Sequence, residues 1–379
     1  MSTKEKILSI LNEKKGAVVS GEILAAECNV SRAAVWKAIN NLRKEGFLIE
    51  GTTNGGYKFC TEGDVFSQEI FVSDFCASFP AFSNSHIECF KVIDSTSTYA
   101  KRILSECGNL RDLNDNLTEA GKKYHNSIFV AESQTAGKGR FGRSFVSPEK
   151  KGIYLSVIYA PKGGIVEPAK LTAFSAVAVC RALKKLYNID TQIKWVNDVF
   201  YKGKKIVGIL AEGVVNFETK KIESAVVGIG INLFDNSEIS DDLKKIVGSV
   251  CGDNKNDITR SKVAAQIAGE TFLIFNENFA DVIKEYKSKS FLIGKNVVVH
   301  PVIGDDCSAY TAKVLDIDDN ASLVVELPDN HHKNDLTENE NFADIKTNGQ
   351  QNFADKKNGT IKILNSGEVS VKFTENNFY

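Results

Sequence analysis

Apolar residues fall at helical spacing three times before residue 45, and then at strand spacing on either side of a glycine-rich turn. That order leaves few folds open to the first 60 residues. Ile7, Leu8 and Leu11 mark a first helix. Ser20 caps a second, with Glu22 in its first turn and Ile23, Leu24 and Ala26 as apolar positions. Ser31 opens a third, which Gly46 closes; Val30, Val35, Trp36 and Ile39 are its expected core residues. Phe47–Ile49, a turn over 52–56 and Tyr57–Phe59 read as strand, hairpin turn and strand. Three helices and a hairpin are the order of a winged helix-turn-helix, assigned to residues 1–62. Its third helix, about 14 residues and so roughly 21 Å long, is long enough to lie in a DNA major groove.

The rest divides into a connection at 63–86, an α+β domain over 87–290 and a β-rich tail over 291–379. Strands are expected at 87–92, 127–132, 153–159, 192–195, 206–212 and 225–231, and helices at 97–107, 168–187 and 259–287. The polar run 108–123 reads as a surface loop. Five short apolar runs, at 296–300, 312–316, 322–326, 360–364 and 369–373, suggest a small β-barrel. Between the third and fourth of them lies an Asn-, Asp- and Lys-rich insert, 328–358, in which Asn-Phe-Ala-Asp occurs twice, at 341–344 and 352–355, with a third copy at 278–281. It is too short a unit for a solenoid, and the insert is expected to be disordered.

Charge excludes one broad class. With 47 basic and 48 acidic side chains, no overall field draws the molecule to nucleic acid or to an anionic membrane, so DNA binding must come from a local patch. Eight cysteines stand apart, none in a C-x-x-C pair, which fits a reducing compartment better than a disulfide framework. The first residues, Met1 to Glu5, hold no apolar signal core, and the longest apolar run, Leu171 to Cys180, is too short to span a bilayer. A soluble cytoplasmic protein is expected, with no membrane partner. The candidate DNA contacts are Ser31, Arg32, Lys37, Arg43 and Lys44 on the third helix, and Lys58 on the wing; a winged helix used only for protein contacts is the alternative.

Four segments carry chemistry. Gly137-Lys-Gly-Arg-Phe-Gly142 matches G-x-G-x-x-G, but Pro148 and Gly152 forbid the helix that a dinucleotide fold needs next, and Pro161-Lys162 stand where its acid should be. No kinase catalytic loop or D-F-G accompanies it. What sets this loop apart is Lys138, Arg140 and Arg143 among three glycines behind Gln134, a combination able to cradle a phosphate. Taken alone, it fits a flexible basic surface loop better. Lys194-Trp-Val-Asn-Asp198 and Lys205 to Glu212 place lysines at strand ends, where they are usually solvated. Asp94-Ser-Thr-Ser-Thr98 precedes a helix and by itself is a cap. Gly228-Ile-Gly-Ile-Asn232 is a strand whose glycines permit a ligand to approach closely.

Together, in this order and spacing, the four resemble the biotin protein ligases, specifically the bifunctional ligase and biotin-operon repressors that carry an N-terminal winged helix. The resemblance runs from Lys4 to the C-terminal strands. It implies a winged helix, a mixed-sheet ligase domain similar to class II aminoacyl-tRNA synthetases and a small SH3-like β-barrel. It also implies an ATP-dependent activation of biotin to biotinyl-5′-AMP and transfer to a lysine of a biotin carboxyl carrier protein. Magnesium is expected with ATP and no protein metal site is assigned. Operator DNA and a second copy of the chain, bound when the adenylate is present, are the other expected partners. On the family pattern, Ser95, Thr96, Gln134 and Lys138 meet the ureido ring of biotin. Lys205 meets its carboxyl oxygen and the α-phosphate, and Arg140 and Asp198 help close the loop. Arg143, Phe145, Lys194, Asn197 and Asn232 serve the nucleotide, while Gly208, Leu210, Gly228 and Gly230 line the walls.

The chain departs from that pattern at Ser97, where Asn is common, Val196 (Pro), Phe141 (a basic residue) and Phe145 (Trp). The last two change the size of the adenine cover. Two other readings compete: a transcription regulator whose core only senses a small molecule, and a lipoate-type acyl ligase on a related fold. Lys138 and Lys205 speak against the first, and the basic loop with Lys194–Asp198 against the second.

Overall fold

Serine hydroxyls start the first helices. In the computed structural model, Ser2 Oγ accepts from Glu5 N–H while Glu5 answers to the Ser2 N–H, closing a capping box on α1 (Thr3–Glu13). Ser20 and Ser31 likewise cap α2 (Gly21–Cys28) and α3 (Arg32–Lys44). The structure describes residues 2–14, 16–45, 47–52, 55–60, 66–216, 219–237, 239–252, 259–301, 309–328, 360–365 and the backbone of 369–373. The closing role read for Gly46 lies outside them. Ile7, Leu8, Leu11, Leu24, Val35, Ile39, Leu42, Phe47 and Phe59 form the core of this unit. A short strand not expected from the sequence, β1 (Val18–Val19), joins β2 (Ile49–Thr52) and β3 (Gly56–Phe59) in a β1-β3-β2 sheet.

Trp36 corrects the sequence reading: it is 60% exposed. The buried stripe of α3 is Val35, Ala38, Ile39 and Leu42, at i, i+3, i+4 and i+7. A residue next to Val35 is turned about 100° away from that stripe.

The connection holds a helix, α4 (Gln68–Ser78), shared by two cores. Ile70 enters the winged-helix core, whereas Phe71, Phe75 and Phe79 enter the main core. Gly269 is needed there, since a Cβ on it would lie 2.3 Å from the Phe79 ring.

The main sheet runs β4-β5-β6-β10-β9-β8-β7. Its strands are β4 (Ile87–Ile93), β5 (Ser127–Gln134), β6 (Gly152–Tyr159), β7 (Gln192–Lys194), β8 (Asp198–Tyr201), β9 (Lys204–Val215) and β10 (Ile222–Asn232). Only β4 and β5 are parallel; the other neighbours are antiparallel. Period-two alternation sorts the side chains between two layers. Val157, Val207, Ile209, Val227 and Ile229 point into the core with α7 (Pro168–Tyr187) and α9 (Arg260–Ile274). Phe129, Ile158 and Val226 pack instead with Ala100 and Leu104 of α5 (Thr96–Cys107). On that second face, beyond α5, the strands present Tyr154, Ser156, Gly208, Leu210, Gly228 and Gly230. This half-covered face is where the cleft forms.

Several element readings change. Residues 259–287 are two helices, α9 and α10 (Phe279–Lys289), because Asn278 caps a new start with its Oδ1 accepting from Ala280 N–H. The run 108–123 is more than a loop: Leu110 is 1% exposed, and Thr118 caps α6 (Glu119–Tyr124). Strand β8 and α8 (Asp241–Ile246) are additions to the expected elements.

The tail forms an antiparallel sheet ordered β14-β13-β12-β11-β15 from β11 (Asn296–Pro301), β12 (Tyr310–Ile317), β13 (Leu323–Leu327), β14 (Thr360–Leu364) and β15 (Val369–Phe373). Among the described residues β14 and β15 do not pair, so an open sheet is what is seen. The disorder read for 328–358 falls, from residue 329 on, outside the described residues. Trp195 Nε1–H donates to the Ala321 carbonyl (2.8 Å), and Lys287 pairs with Asp316 (3.0 Å), which tie this sheet to the ligase core. Among the described residues no helix is long and apolar enough to cross a membrane.

Candidate active site and nucleic-acid interface

One cleft of about 1320 Å³ brings together every cleft residue singled out in the sequence: Ser95, Thr96, Gln134, Lys138, Arg140, Arg143, Phe145, Lys194, Asn197, Asp198, Lys205, Gly208, Leu210, Gly228, Gly230 and Asn232. They come from the start of α5, the end of β5, the loop after it, the β7–β8 turn and the half-covered faces of β8, β9 and β10.

The wall by α5 is a hydroxyl network. Thr96 donates to Gln134 Oε1 from its N–H (2.9 Å) and Oγ1 (3.2 Å), and Gln134 Nε2 donates to Ser147 Oγ (2.9 Å). Ser156 Oγ lies 2.8 Å from Thr96 Oγ1 and 3.0 Å from Ser97 Oγ. Ser95, Thr96 and Ser97 are all buried, and Ser95 Oγ caps α5. Hydroxyls and a primary amide offer both donors and acceptors, as a cyclic urea requires. Ser156 is absent from the sequence reading; its one signal is a small hydroxyl side chain in the otherwise largely apolar run Ile153 to Ile158.

The floor is stripped of side chains for a reason of space. Gly208 and Gly230 are direct partners across β9 and β10, and the Phe145 ring lies against both. A Cβ on Gly230 would sit 2.5 Å from that ring, and one on Gly228 2.4 Å from Ser97 Oγ. Tyr154, another residue that the sequence does not single out, meets Phe145 edge to face (6.3 Å) and donates from its hydroxyl to the Pro148 carbonyl (3.0 Å), pinning the loop's exit.

Positive charge dominates the rest. Nine lysines and arginines line the cleft (138, 140, 143, 151, 194, 202, 204, 205 and 244) against two carboxylates, Asp198 and Asp235. In a chain of net charge −1 that is a concentrated local field suited to phosphates. Lys205 Nζ lies 2.6 Å from Asp198 Oδ1, an ion pair outside hydrogen-bond angles, with both side chains still partly open to the cleft. Arg140 donates from Nη1 to Asn197 Oδ1 (3.2 Å) and stacks on Phe141 (4.7 Å). Burial lowers its pKa, and Asp198 partly offsets that. Asn197 is fixed in turn, its Nδ2 donating to the Ile209 carbonyl (3.0 Å).

The basic loop is a tight hairpin. Gly139 N–H donates to the Arg143 carbonyl (2.7 Å), and Phe145 N–H to Gly137 (2.8 Å). Phe141 takes a left-handed φ of 55° at its tip, and Lys138 and Arg143 line the cleft from the two arms. The opposite rim, from 235 to 237 and 239 to 252 with α8, carries none of the sequence motifs; Gly248 N–H donates to the Lys205 carbonyl (2.9 Å) and secures it.

On the winged helix, Ser31 caps α3 and is exposed, as are Lys37 and Lys44, while Arg32 pairs with Glu22 (3.1 Å) at the surface. Lys58 sits half-buried on β3. Arg43 is exposed as well and also serves the fold. Its Nε donates to the Ile49 carbonyl (2.8 Å) and its Nη1 to Asn40 (3.3 Å), fastening the helix to the wing.

Fold and cleft define a class: a mixed-sheet α+β domain with a basic, glycine-floored cleft, joined to a winged helix-turn-helix head. Comparison with known sequences narrows it. Residues 89–232 match the Biotin/lipoate A/B protein ligase family, and residues 3–58 match the HTH domain. The two matches thus fall on the winged-helix head and on the main sheet with its cleft. The bifunctional ligase/repressor BirA of Bacillus spizizenii is 29% identical over 332 residues, covering 85% of this chain and 94% of that protein. That of Escherichia coli is 27% identical over 228 residues, 60% of this chain and 63% of that protein. The structure of the biotin protein ligase from Aquifex aeolicus in complex with biotin and ATP superposes with a TM-score of 0.53 at 22% identity, over 76% of this chain and 99% of that one, and so shares the fold.

Proposed function

We propose that this chain activates biotin with ATP and transfers it to a lysine of a biotin carboxyl carrier protein, and that it represses biotin genes by binding operator DNA. What supports this most is that Lys138 and Arg140 of the loop and Lys205 of β9 line one cavity, opposite the hydroxyl wall. A biotin carboxylate oxygen attacks the α-phosphorus of ATP, the bond to the β-phosphate oxygen breaks, and pyrophosphate leaves. The neutral amine of the carrier lysine then attacks the acyl carbon; AMP leaves and the nitrogen loses a proton.

In this reading Ser95, Thr96, Gln134 and Lys138 hold the ureido ring. Lys205, steadied by Asp198, offsets charge that builds on the carboxyl and phosphate oxygens as they join. Arg140 and Arg143 hold the loop over the phosphate. Lys194, Asn197 and Asn232 border the nucleotide, Phe145 covers it, and Gly208, Leu210, Gly228 and Gly230 leave room for the ligand. Magnesium would enter on the ATP phosphates, oxygen donors of the kind it prefers.

The finer architecture belongs to the same proposal: a head at 1–62, a linker at 63–86, a catalytic domain at 87–290 similar to class II aminoacyl-tRNA synthetases, and an SH3-like barrel over 291–379. So do a dimer formed through the central sheet when the adenylate is bound, which would set two α3 helices on a palindrome, and a cytoplasmic location. Incubation with labelled biotin, ATP, magnesium and a carrier domain tests the enzyme directly. Label on one carrier lysine is expected. Biotin that binds without reaching the carrier would make the protein a sensor instead.

A further inference from the structure

The cleft does not account for the indole on α3. The chain has two tryptophans. Trp195 is 4% exposed and hydrogen-bonded, while Trp36 is 60% exposed. Hydration of so large an apolar surface has no return within the winged helix, whose core is already filled by Val35, Ala38, Ile39 and Leu42. Arg32, Trp36 and Asn40 follow one another at i, i+4 and i+8, and Ala33 and Lys37 flank them. The helix carries four basic residues and no acid. An apolar plate framed by cations, on a helix with no opposing charge, matches a surface that is anionic at its edges and apolar in its floor.

We infer that Trp36 reads a thymine in the DNA major groove by covering its C5-methyl group, while Lys37 and Lys44 engage the flanking phosphates. The inference rests on the DNA-binding reading above and adds a base identity to it. In the major groove the methyl group is the one apolar mark that distinguishes a base, and apolar side chains select it. Phosphate contacts position the helix without carrying that information.

The test uses the full-length chain, with biotin and ATP present, and a duplex it selects from a randomised pool, with each thymine replaced in turn by uracil. Uracil keeps all the hydrogen bonds and lacks only the methyl. One thymine in each half-site should lose about fourfold in affinity on demethylation, the value of one buried methyl group. Trp36→Ala should weaken binding by about tenfold, of the order of one lost base contact. It should also become indifferent to that same uracil and keep the wild-type salt slope. Lys37→Ala should instead lower the slope by about one. An unchanged urea-unfolding transition of the head shows that Trp36→Ala is folded, and carrier biotinylation should stay at the wild-type rate. If wild type binds no duplex, the DNA-binding reading itself fails. If it binds, but every uracil is neutral or Trp36→Ala keeps the uracil penalty, the assignment of Trp36 is overturned.

Discussion

In the cleft, Lys138, Lys194 and Lys205 come from three separate stretches of chain and share one hollow, over strands that carry glycine where the ligand would lie. On α3 the basic residues come from a single 13-residue helix, around an indole that stands in solvent. Both surfaces suit phosphate. The concave one sets cations on several sides of one hollow, where partial burial strengthens each interaction. The convex one meets a polymer along its length and must leave its charges in solvent, where salt screens them. On the proposed function, one chain holds two phosphate-binding surfaces whose salt dependence and sensitivity to mutation should differ in kind.

Lys205→Ala should separate the two surfaces by the widest margin. Adenylate formation, followed as labelled pyrophosphate exchange, should fall by about 10²- to 10³-fold, as when one preorganised electrostatic donor is lost. Affinity for DNA without biotin should not change. Near-normal exchange would remove Lys205 from the chemistry. Next in size is Gly230→Ala. Its Cβ would lie 2.5 Å from the Phe145 ring, so either the ring moves or the strands shift. Overpacking of this kind costs about 1–3 kcal/mol, which should raise the KM for ATP about tenfold and the KM for biotin less. Combining it with Phe145→Leu should recover part of the loss; an ATP KM that never moved would mean that the ring is not the nucleotide cover. The smallest effect is expected from Arg43→Met. Its guanidinium holds the Ile49 carbonyl, so urea unfolding should show a loss of about 1 kcal/mol. The salt slope of DNA binding should stay at the wild-type value, whereas a fall would place Arg43 on phosphate.

The convex surface is easier to read in the sequence than the concave one. The stripe Val35, Ile39, Leu42 marks α3 because a single helix repeats every 3.6 residues, and Ser31 announces its start. Trp36 misleads because its type suggests burial while its position, one residue beyond Val35, turns it to solvent. Helix α4 shows weak periodicity because two faces of it are buried: Ile70 toward the head and Phe71 and Phe75 toward the ligase core. Each cleft motif is visible as a turn, a cap or a strand. Their convergence is not, since it depends on strand register, such as Gly230 opposite Gly208, and spacing along the chain does not encode register. It comes instead from the family resemblance. Ser156 carries no signal beyond being polar among apolar neighbours, yet it joins Thr96 to Ser97.

Calorimetric titration with a non-hydrolysable biotinyl-adenylate analogue probes the shared hollow without relying on turnover. The analogue should bind one per chain, displace biotin and ATP together, and bind far more weakly to a Lys138→Ala, Lys205→Ala double variant. Simultaneous binding of the analogue with either substrate, or unchanged affinity in that variant, would show that the two lysines do not serve the same cavity.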